Sequence, residues 1–591
     1  MKKAFQFQIS GLIVLGVFFI YPVFAQAAVL GEQVNFNVDS NYDATGRTQL
    51  TASLKVIGDS IYFYVEDDYW HDLNITQRSL LKEALDDLAD EFDTVIYPKE
   101  RAIFGSEWNP GIDNDARITV LVSQLVNDAG GYFNTYDEYP KSQISSSNER
   151  EMLYLNILTI FNSKNKAFLA HEFQHLISFY QKTVLYNIEE EIWLNEARSE
   201  YAPTVCGYND TYSNSYLSDR VNTFLDGSSD SLTEWKNSTA DYGVVNLFLH
   251  YLVDHYGIEI LTRMILNDKV GIESINTALF DLGYSESFSD IFADWAITNY
   301  LNDCQIDSEK KYCYLDKNLT YQRLHIDYSA SYSGFPNLIV SRSSSVTDWS
   351  PRWYRFRQGT AKETDKDVLK LEFNGSIHYG DFKVPYIVMD ENSQISVQFM
   401  SLKNQEGAVY IPNFTSLNKS VIMVPFNQYK KSGFGSSEPM ASFSFTASSI
   451  SEEEIDVDDL PNNDEADSEV EIGNYPDGSL LRASGDYKVY IIKGSYKRWV
   501  QSAEIFNHYG HLRWEDVIEV SLEELVQYQE SWLIRAYGDA RVYEVNADGT
   551  KHWLNMTAEH FTISGRLWAL VYIINSFERD FYRTGSDVRF Q

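Results

Sequence analysis

Two histidines and a glutamate lie close together in the segment AFLAHEFQHLISFYQ, and their types and spacing could bind a metal ion. His171 and His175 are four residues apart, so on a helix they project from one face about one turn from each other. Two imidazoles in that arrangement can both reach one zinc ion at about 2.0–2.1 Å. Glu172 is rotated about 100° around the helix, so it cannot join the same ligand set, but it can reach a water bound to the metal. This pattern predicts metal-assisted hydrolysis.

A third protein ligand is found in the downstream segment IWLNEARSEYAP. Glu196 lies 21 residues after His175, and a turn near residues 186–187 would let the two helical segments pack side by side. Glu200 is four residues further on the same face, where it can accept the second ring N–H of a liganding histidine. HExxH strings arise by chance on the order of once in a hundred chains of this size. The downstream glutamate pair therefore favours a zinc site over a chance match.

Strands followed by a mainly helical block surround these residues and indicate an α+β domain. Alternating apolar residues from about Val34 to Val65 predict strands. Ala129–Tyr132 is rich in glycine and predicts a turn between two further strands, Arg117–Leu125 and Met152–Leu158. Apolar residues at helical spacing follow from Lys164 to about Asp303.

The rest of the chain comprises a β-rich region, an acidic segment and a repeat. Short β-branched runs between residues 324 and 448 predict a β-sandwich. Ser451–Glu471 carries eleven acidic residues and no Lys or Arg, which predicts a solvated linker. Leu480–Tyr490 matches Leu533–Tyr543 at an offset of 53, which predicts tandem hairpin-plus-helix units with tryptophans in their cores. The predicted segments are 1–27 (signal peptide), 28–323 (catalytic domain), 324–448 (β-sandwich), 449–475 (acidic linker), 476–530 (first repeat) and 531–591 (second repeat).

Charge and the N-terminus restrict the partners and the location of the chain. The 591 residues include 48 Lys+Arg and 85 Asp+Glu, a net charge of −37, which disfavours nucleic acid as a partner because phosphates need a basic face. The N-terminus is typical of a secretory signal peptide, with an uncleaved anchor as the alternative. It has two lysines, Lys2 and Lys3, then the apolar run Ile9–Phe24 and the end Ala25–Ala27. No second apolar run of spanning length follows. We expect a secreted chain with no membrane span after cleavage.

The three cysteines are too few for a disulfide scaffold. Cys304 and Cys313 are close together in a polar segment, and an oxidising exterior would favour a disulfide between them. Cys206 is then left over, and we expect it to be a small buried residue.

The segments HEFQH and WLNEARSEYA resemble the gluzincin metallopeptidases, the thermolysin-like superfamily, in which HExxH is followed by a glutamate ligand inside NExxS[DE]. The strands before the helix, the GGYF turn and the segment DYGVVNLFLHYLVDHYG look most like the hyicolysin-like secreted bacterial branch. The resemblance covers roughly residues 34 to 303. It implies an α+β zincin-like metallopeptidase domain with an N-terminal sheet and a helical C-terminal half. The β-sandwich and the two small tandem α+β repeats follow that domain, and the family does not imply the repeats.

The resemblance also implies a role for each site residue. His171, His175 and Glu196 would bind one catalytic zinc ion, Glu172 would be the catalytic glutamate, and Glu200 would support a ligand from behind. Thermolysin-type enzymes have Asp at the position of Glu200, so the hydrogen-bond reach there must adjust by one methylene.

The oxyanion that develops during hydrolysis also needs a hydrogen-bond donor from the protein. In gluzincins it is commonly a Tyr or His downstream of the glutamate ligand. Tyr242, 46 residues past Glu196, is the candidate, and Tyr201, His250 and His255 are the alternatives. Each of them could equally be a core residue with a satisfied polar tip.

Three further segments have two interpretations each. Met152–Leu158 is either the sheet edge that pairs with an extended peptide substrate, as in this superfamily, or an ordinary core strand. Asp113–Asp115 could hold a calcium ion, or could form a polar turn ahead of a strand. The aromatic-rich repeats could attach the protein to a cell-wall or surface glycan, or could serve as a spacer or protein-contact module.

The function predicted from the sequence is a secreted zinc endopeptidase that hydrolyses protein or peptide substrates with metal-activated water, with Glu172 as general base and acid. One alternative is a cell-surface or cell-wall binding protein whose peptidase domain is inactive or secondary. The presence of every motif residue argues against it. The other alternative is an aminopeptidase, for which the sequence has no GxMEN-like signal.

Overall fold

The computed structural model describes residues 28–589, except 127–128, 360–364, 378, 393, 418, 456–474, 476–477, 484–485, 495, 510–511, 522–523, 526–527, 537–538, 547, 558–559, 562–565 and 567. The predicted signal peptide, residues 1–27, and most of the acidic linker lie outside the described residues. The described chain falls into two compact units, one within Met1–Pro461 and one within Asn462–Gln591.

A six-stranded sheet begins the first unit. Its strands are β1 (Gln33–Asn37), β2 (Gln49–Ile57), β3 (Ile61–Glu66), β4 (Ile118–Ser123), β5 (Gly131–Phe133) and β6 (Met152–Asn156), in the order β1-β2-β3-β4-β6-β5. The neighbours β3, β4 and β6 run parallel, and every residue of these three strands is buried, as expected for strands covered on both faces. On one face Phe63, Val120 and Leu153 join the main helical core, while on the other Tyr64 and Tyr154 belong to a second apolar cluster.

The edge of this sheet differs from the sequence prediction. The strand predicted over Met152–Leu158 is not an edge, because β6 pairs with β4 on one side and with β5 on the other. The edge-strand interpretation of that segment is therefore wrong, and the edge is β5, which lies where the sequence predicts a turn. A Cβ at Gly131 would lie 2.6 Å from the carbonyl oxygen of Tyr154 and 3.1 Å from Cγ of Glu172. Glycine is required there because the backbone approaches both neighbours so closely.

Ten α-helices complete the described residues of the first half of this unit. They are α1 (Asp67–Asp72), α2 (Ile75–Glu91), α3 (Tyr97–Phe104), α4 (Asn165–Ser178), α5 (Ile192–Cys206), α6 (Tyr216–Asp226), α7 (Thr239–Tyr256), α8 (Glu259–Ile265), α9 (Gly271–Asp281) and α10 (Phe288–Leu301). Side chains that bond the first-turn backbone amides set the starts of α2, α6 and α10, where Asn74, Ser215 and Ser287 are the N-caps. No helix of the described residues is both long and apolar enough to cross a bilayer.

The segment after α10 is closed by a disulfide. Cys304 and Cys313 are bonded, with their Cα atoms 5.1 Å apart, so that the predicted pairing is confirmed. Cys206 is free and buried, as expected.

Two sheets packed on one apolar core form the β-rich region. One sheet has the order β14-β10-β17-β8 and the other β13-β12-β15-β9-β7, with a small pair β11-β16 beside them. The strands are β7 (Ala330–Phe335), β8 (Val340–Val346), β9 (Tyr354–Gln358), β10 (Val368–Gly375), β11 (Phe382–Lys383), β12 (Pro385–Met389), β13 (Ile395–Phe399), β14 (Glu406–Ile411), β15 (Ser420–Met423), β16 (Phe426–Asn427) and β17 (Ala441–Ile450). Phe356, Phe373 and Phe445 lie in the shared core between the sheets. Trp349 and Trp353 instead join the helical core, so this region is packed directly against the helices.

The second unit contains the same five-stranded sheet twice. Its orders are β21-β18-β19-β20-β22 and β26-β23-β24-β25-β27, each with an antiparallel centre and parallel outer strands. The elements are β18 (Leu480–Ala483), β19 (Val489–Lys493), β20 (Tyr496–Val500), α11 (Ala503–His508), β21 (Val517–Val520), β22 (Gln529–Glu530), β23 (Leu533–Ala536), β24 (Val542–Val545), β25 (Thr550–Trp553), β26 (Val571–Ile574), α12 (Ser576–Phe581) and β27 (Arg583–Thr584). The repeats share one apolar cluster, and a buried ion pair joins Arg498 of the first to Glu578 of the second. Trp514 and Trp568 are about half exposed, so the prediction that these tryptophans lie in the core is wrong for this pair.

Candidate metal centre

Helix α4 positions the two histidines by its own periodicity. Leu169, Phe173 and Leu176 fill the core on the buried sides of the helix. His171 and His175 therefore share the remaining face, which is turned toward α5, and their rings meet edge to face with centroids 4.8 Å apart.

Three potential ligand atoms from α4 and α5 form a small triangle. Nε2 of His171 and Nε2 of His175 are 3.1 Å apart, and Oε2 of Glu196 is 3.4 Å from the first and 3.5 Å from the second. Ligands placed about 2.0–2.1 Å from one tetrahedral zinc ion are separated by about 3.3 Å. Oε2 of Glu196 is buried with no hydrogen-bond partner, so a metal ion would supply the partner that this atom lacks. The three residues are the only His, Cys, Asp or Glu group of this kind among the described residues.

The hydrogen bonds behind His175 determine which of its nitrogens carries the proton. Its Nδ1 lies 3.0 Å from Oγ of Ser199, and that hydroxyl already donates to Oε1 of Gln174. A hydroxyl has one proton, so toward His175 it can only accept, and Nδ1 must donate. Nε2 then keeps a free lone pair that points at Glu196 and His171. Asn195 is also beside Nδ1, at 3.2 Å, and its Oδ1 is unpartnered, so turning that amide around would give the ring a second acceptor.

Glu200 lies behind His171, but no hydrogen bond joins them. Nδ1 of His171 is 3.4 Å from Oε1 of Glu200, and this nitrogen has no hydrogen-bond partner among the described residues. Glu200 is fully buried, and Arg220 holds it with two bonds, Nε to Oε2 at 2.6 Å and Nη2 to Oε1 at 2.8 Å. Tyr216 donates a further hydrogen bond to Oε1 at 2.6 Å. These contacts fix the carboxylate in place behind the ring of His171.

Arg220 and Tyr216 are functional residues that the sequence analysis missed. They lie on α6, four residues apart, so their spacing predicts a common helix face. Nothing in the sequence connects that face to Glu200, because the contact depends on how α6 packs beside α5.

Glu172 lies beside the triangle, next to the edge strand. Its side chain is buried, and a Cβ built on Gly131 of β5 would lie 3.1 Å from its Cγ. Burial raises the pKa of Glu172 to about 8, a rise that the nearby His175 opposes and the charges of Glu196 and Glu200 increase. The three carboxylates are faced by one arginine, Arg220, so a bound cation would offset their remaining charge.

An open cleft of about 770 Å³ lies beside these residues. It is lined by His171 and Glu172 from α4, by Gly131 from β5, by Tyr216 and Arg220 from α6, by Tyr242 from α7, and by Asn41 and Tyr42 from the loop between β1 and β2. Tyr42 is another residue missed by sequence. It stacks on Tyr132, which stacks on Tyr154, with centroid distances of 4.4 and 4.1 Å.

Of the four predicted oxyanion donors, Tyr242 is the one that lines the cleft. Its hydroxyl donates to Oδ1 of Asn237 at 3.0 Å, and its pKa is raised by burial and by the charges of Glu196, Glu200 and Glu172. Because the hydroxyl keeps its proton, it remains able to donate.

The other three predicted donors lie away from the cleft. Tyr201 packs against His250 with ring centroids 4.7 Å apart, and His250 Nε2 is 3.3 Å from the hydroxyl of Thr204. His255 Nε2 is 3.0 Å from the carbonyl oxygen of Cys313. All three are core or supporting residues, which is the second interpretation that the sequence left open for them.

The Asp113–Asp115 segment forms the polar turn that was one of its two interpretations. Oδ1 of Asp113 accepts from the Asp115 amide at 2.8 Å, and Asp115 accepts from the Tyr62 hydroxyl at 2.9 Å. Asp115 also pairs with Arg117. Among the described residues, these two carboxylates belong to no group of three or more His, Cys, Asp or Glu side chains that could hold an ion.

Comparisons with known proteins identify no family. No family model and no curated protein matches the chain. Among solved structures, the pre-peptidase C-terminal domain of a collagenase from Bacillus anthracis is similar over 20% of this chain and 96% of that domain, at 9% identity and a TM-score of 0.14. A mitogen derived from Yersinia pseudotuberculosis is similar over 21% of this chain and 95% of its own, at 11% identity and a TM-score of 0.14. At such TM-scores neither similarity bears on the fold or the function of this chain.

Proposed function

We propose that this protein is a zinc-dependent endopeptidase, with His171, His175 and Glu196 as the ligands. The observation that carries the proposal is the triangle of Nε2, Nε2 and Oε2 atoms, 3.1 to 3.5 Å on a side, of which His171 lines an open cleft together with Glu172. The hydrogen bonds behind His175 leave its Nε2 able to bind a cation, and Glu200 is the acceptor that would do the same for His171. With three protein ligands, one coordination position is free for water or substrate, as in catalytic rather than structural zinc sites.

When bound, zinc would polarise the scissile carbonyl and lower the pKa of a water molecule toward neutrality. Glu172 is the group placed to take the proton from the attacking water and to deliver it to the leaving amine. Tyr242 lines the same cleft with a protonated hydroxyl, and it would stabilise the oxyanion by releasing Asn237 and donating to the substrate oxygen.

The edge strand β5 supports an extended polypeptide as the substrate. It forms the end of its sheet, and among the described residues its outer side pairs with no strand. Gly131 brings this edge directly beside Glu172. A peptide added to β5 as a further strand would be held by its main chain, which gives broad sequence preference. Such an edge can pair with an internal segment of a polypeptide, because it needs no free N-terminus. This favours an endopeptidase over an aminopeptidase.

Secretion and surface attachment form part of the same proposal. The Cys304–Cys313 disulfide supports an oxidising compartment. In the repeats, Trp514 stacks on Phe506 at a centroid distance of 4.0 Å, and Trp568 packs with a tilt against Phe561 at 4.2 Å. Both tryptophans remain about half exposed. Two equivalent exposed indoles support contact with a repetitive polymer such as a cell-wall glycan.

The test combines metal analysis with one isosteric substitution. We expect the purified mature chain to contain one zinc per molecule and to lose casein hydrolysis with a zinc chelator. Glu172→Gln should abolish hydrolysis while keeping the zinc, because Glu172 is not a ligand. Glu83→Gln, the same change on the exposed side of α2, is the control and should leave both unchanged. Full activity of the Glu172→Gln protein, or a purified parent that binds no zinc, would refute the proposal.

A further inference from the structure

The ring of Tyr42 lies beside the outer edge of β5. Tyr132 of β5 is directly opposite Tyr154 of β6, and their rings are stacked with centroids 4.1 Å apart and planes 6° apart. Tyr42 stacks on Tyr132 at 4.4 Å and 15°. An aromatic ring has two faces, so Tyr154 covers one face of Tyr132 and Tyr42 covers the other. Tyr42 is therefore on the side of β5 away from β6, where no strand of the described residues pairs.

The distance between the stacked rings is close to the distance between strands. Neighbouring strands are about 4.8 Å apart, and directly opposite residues project their side chains to the same face of the sheet. A substrate strand added to β5 would therefore direct the side chain opposite Tyr132 into the space that the Tyr42 ring fills. Backbone bonds hold this loop in place: the Tyr42 carbonyl accepts from the Val126 amide at 2.9 Å, and the Ala44 amide donates to the Gln124 carbonyl at 3.1 Å.

The adjacent substrate residue, opposite Gly131, would face the other side of the sheet, because successive residues of a strand alternate between faces. Gly131 faces α4, since a Cβ built on it would lie 3.1 Å from Cγ of Glu172. Gly131 has no side chain, so β5 leaves room there for a large one. Glu172 is the proposed catalytic glutamate, so the residue opposite Gly131 would be part of the cleaved bond. The residue opposite Tyr132 is then within two residues of that bond.

We propose that Tyr42 determines the specificity of the cleft, by restricting the substrate residue opposite Tyr132 to glycine or alanine while a larger residue is accepted opposite Gly131. This inference rests on the proposed endopeptidase function. A side chain larger than a methyl group would have to displace the Tyr42 ring from its stack. Leucine at the restricted position should therefore lower kcat/KM about 10- to 100-fold relative to alanine.

The experiment compares the parent with Tyr42→Ala and Tyr42→Phe. Each zinc-loaded full chain digests a random peptide library, and mass spectrometry identifies the cleaved bonds; kcat/KM is then measured for two peptides that differ only by Ala or Leu at the restricted position. We expect the parent and Tyr42→Phe to enrich glycine and alanine at one fixed position within two residues of the cleaved bond. Tyr42→Ala should lose this enrichment and cleave the leucine peptide about 10-fold or more faster than the parent. Damage to the fold would slow both peptides, so a gain on one of them reports the removal of the ring.

Tyr284→Ala is the matched control. Tyr284 is 38% exposed against 37% for Tyr42, its ring also packs against a tyrosine, Tyr256, and it does not line the cleft. It should keep the cleavage profile of the parent. A parent that cleaves the library without preferring glycine or alanine, or a Tyr42→Ala protein that keeps the preference, would overturn the role of Tyr42 and leave the endopeptidase function standing. A parent that cleaves no peptide would refute the proposed function, and this inference with it.

Discussion

Arg220 provides the sharpest test of how the metal ligands are oriented. We consider Arg220→Met, which keeps the length and apolar stem of the side chain but removes its charge. In the native protein Arg220 makes two bonds to Glu200, of 2.6 and 2.8 Å, and Glu200 in turn lies behind His171. Without Arg220 the fully buried Glu200 would lose the cation that holds both of its oxygens, and its position behind His171 would no longer be fixed.

The expected loss of unfolding free energy follows from the burial of the Arg220–Glu200 ion pair. Removing one partner of a buried ion pair costs about 3–5 kcal/mol. Arg220 keeps 19% of its side chain exposed, so we expect a loss near the lower end, about 3 kcal/mol, in the unfolding free energy of the metal-free protein. Loss of the group that orients a liganding histidine should weaken zinc binding about 10- to 100-fold.

Two measurements check this prediction. Urea unfolding of the metal-free chain gives the stability change, and competition with a chromophoric chelator gives the zinc Kd. Arg263→Met is the matched control, because Arg263 pairs with Glu259 on the exposed face of α8, where an ion pair contributes less than about 1 kcal/mol. Activity is not the readout, since Arg220 also lines the cleft. If Arg220→Met binds zinc as tightly as the parent and unfolds at the same urea concentration, Glu200 does not orient His171 in the way described.

Three further predictions concern the cleft, the disulfide and the repeats. Tyr242→Phe should lower kcat by about 10²–10³-fold with zinc content unchanged, because one oxyanion donor is lost; unchanged kcat would remove Tyr242 from the mechanism. Replacing Cys304 and Cys313 by serine should lower the unfolding free energy by roughly 2–3 kcal/mol in urea, and an unchanged urea midpoint would contradict this. Replacing Trp514 and Trp568 by alanine should abolish sedimentation with insoluble cell-wall polysaccharide while casein hydrolysis persists; retained sedimentation would exclude indole stacking as the contact.

Short-range periodicity explains why parts of the fold could be predicted from the sequence. The strands β1 to β3 and the helix α7 lie where alternation and helical spacing predict them, because each pattern is set within about ten neighbouring residues. The edge strand β5 was missed for the opposite reason. It has three residues, begins with a glycine, and forms only because β6 is already in place beside it.

The sequence by itself determined that His171 and His175 share a face, since 3.6 residues per turn require it once the segment is helical. It also indicated Glu196 and Glu200, through their motif and spacing. Only the tertiary structure decided that Tyr216 and Arg220 hold Glu200, and that Tyr242 rather than His250 reaches the cleft. The bonds to Glu200 join residues 16 and 20 positions apart on separate helices. Packing sets such distances, and packing leaves no periodic pattern along the chain.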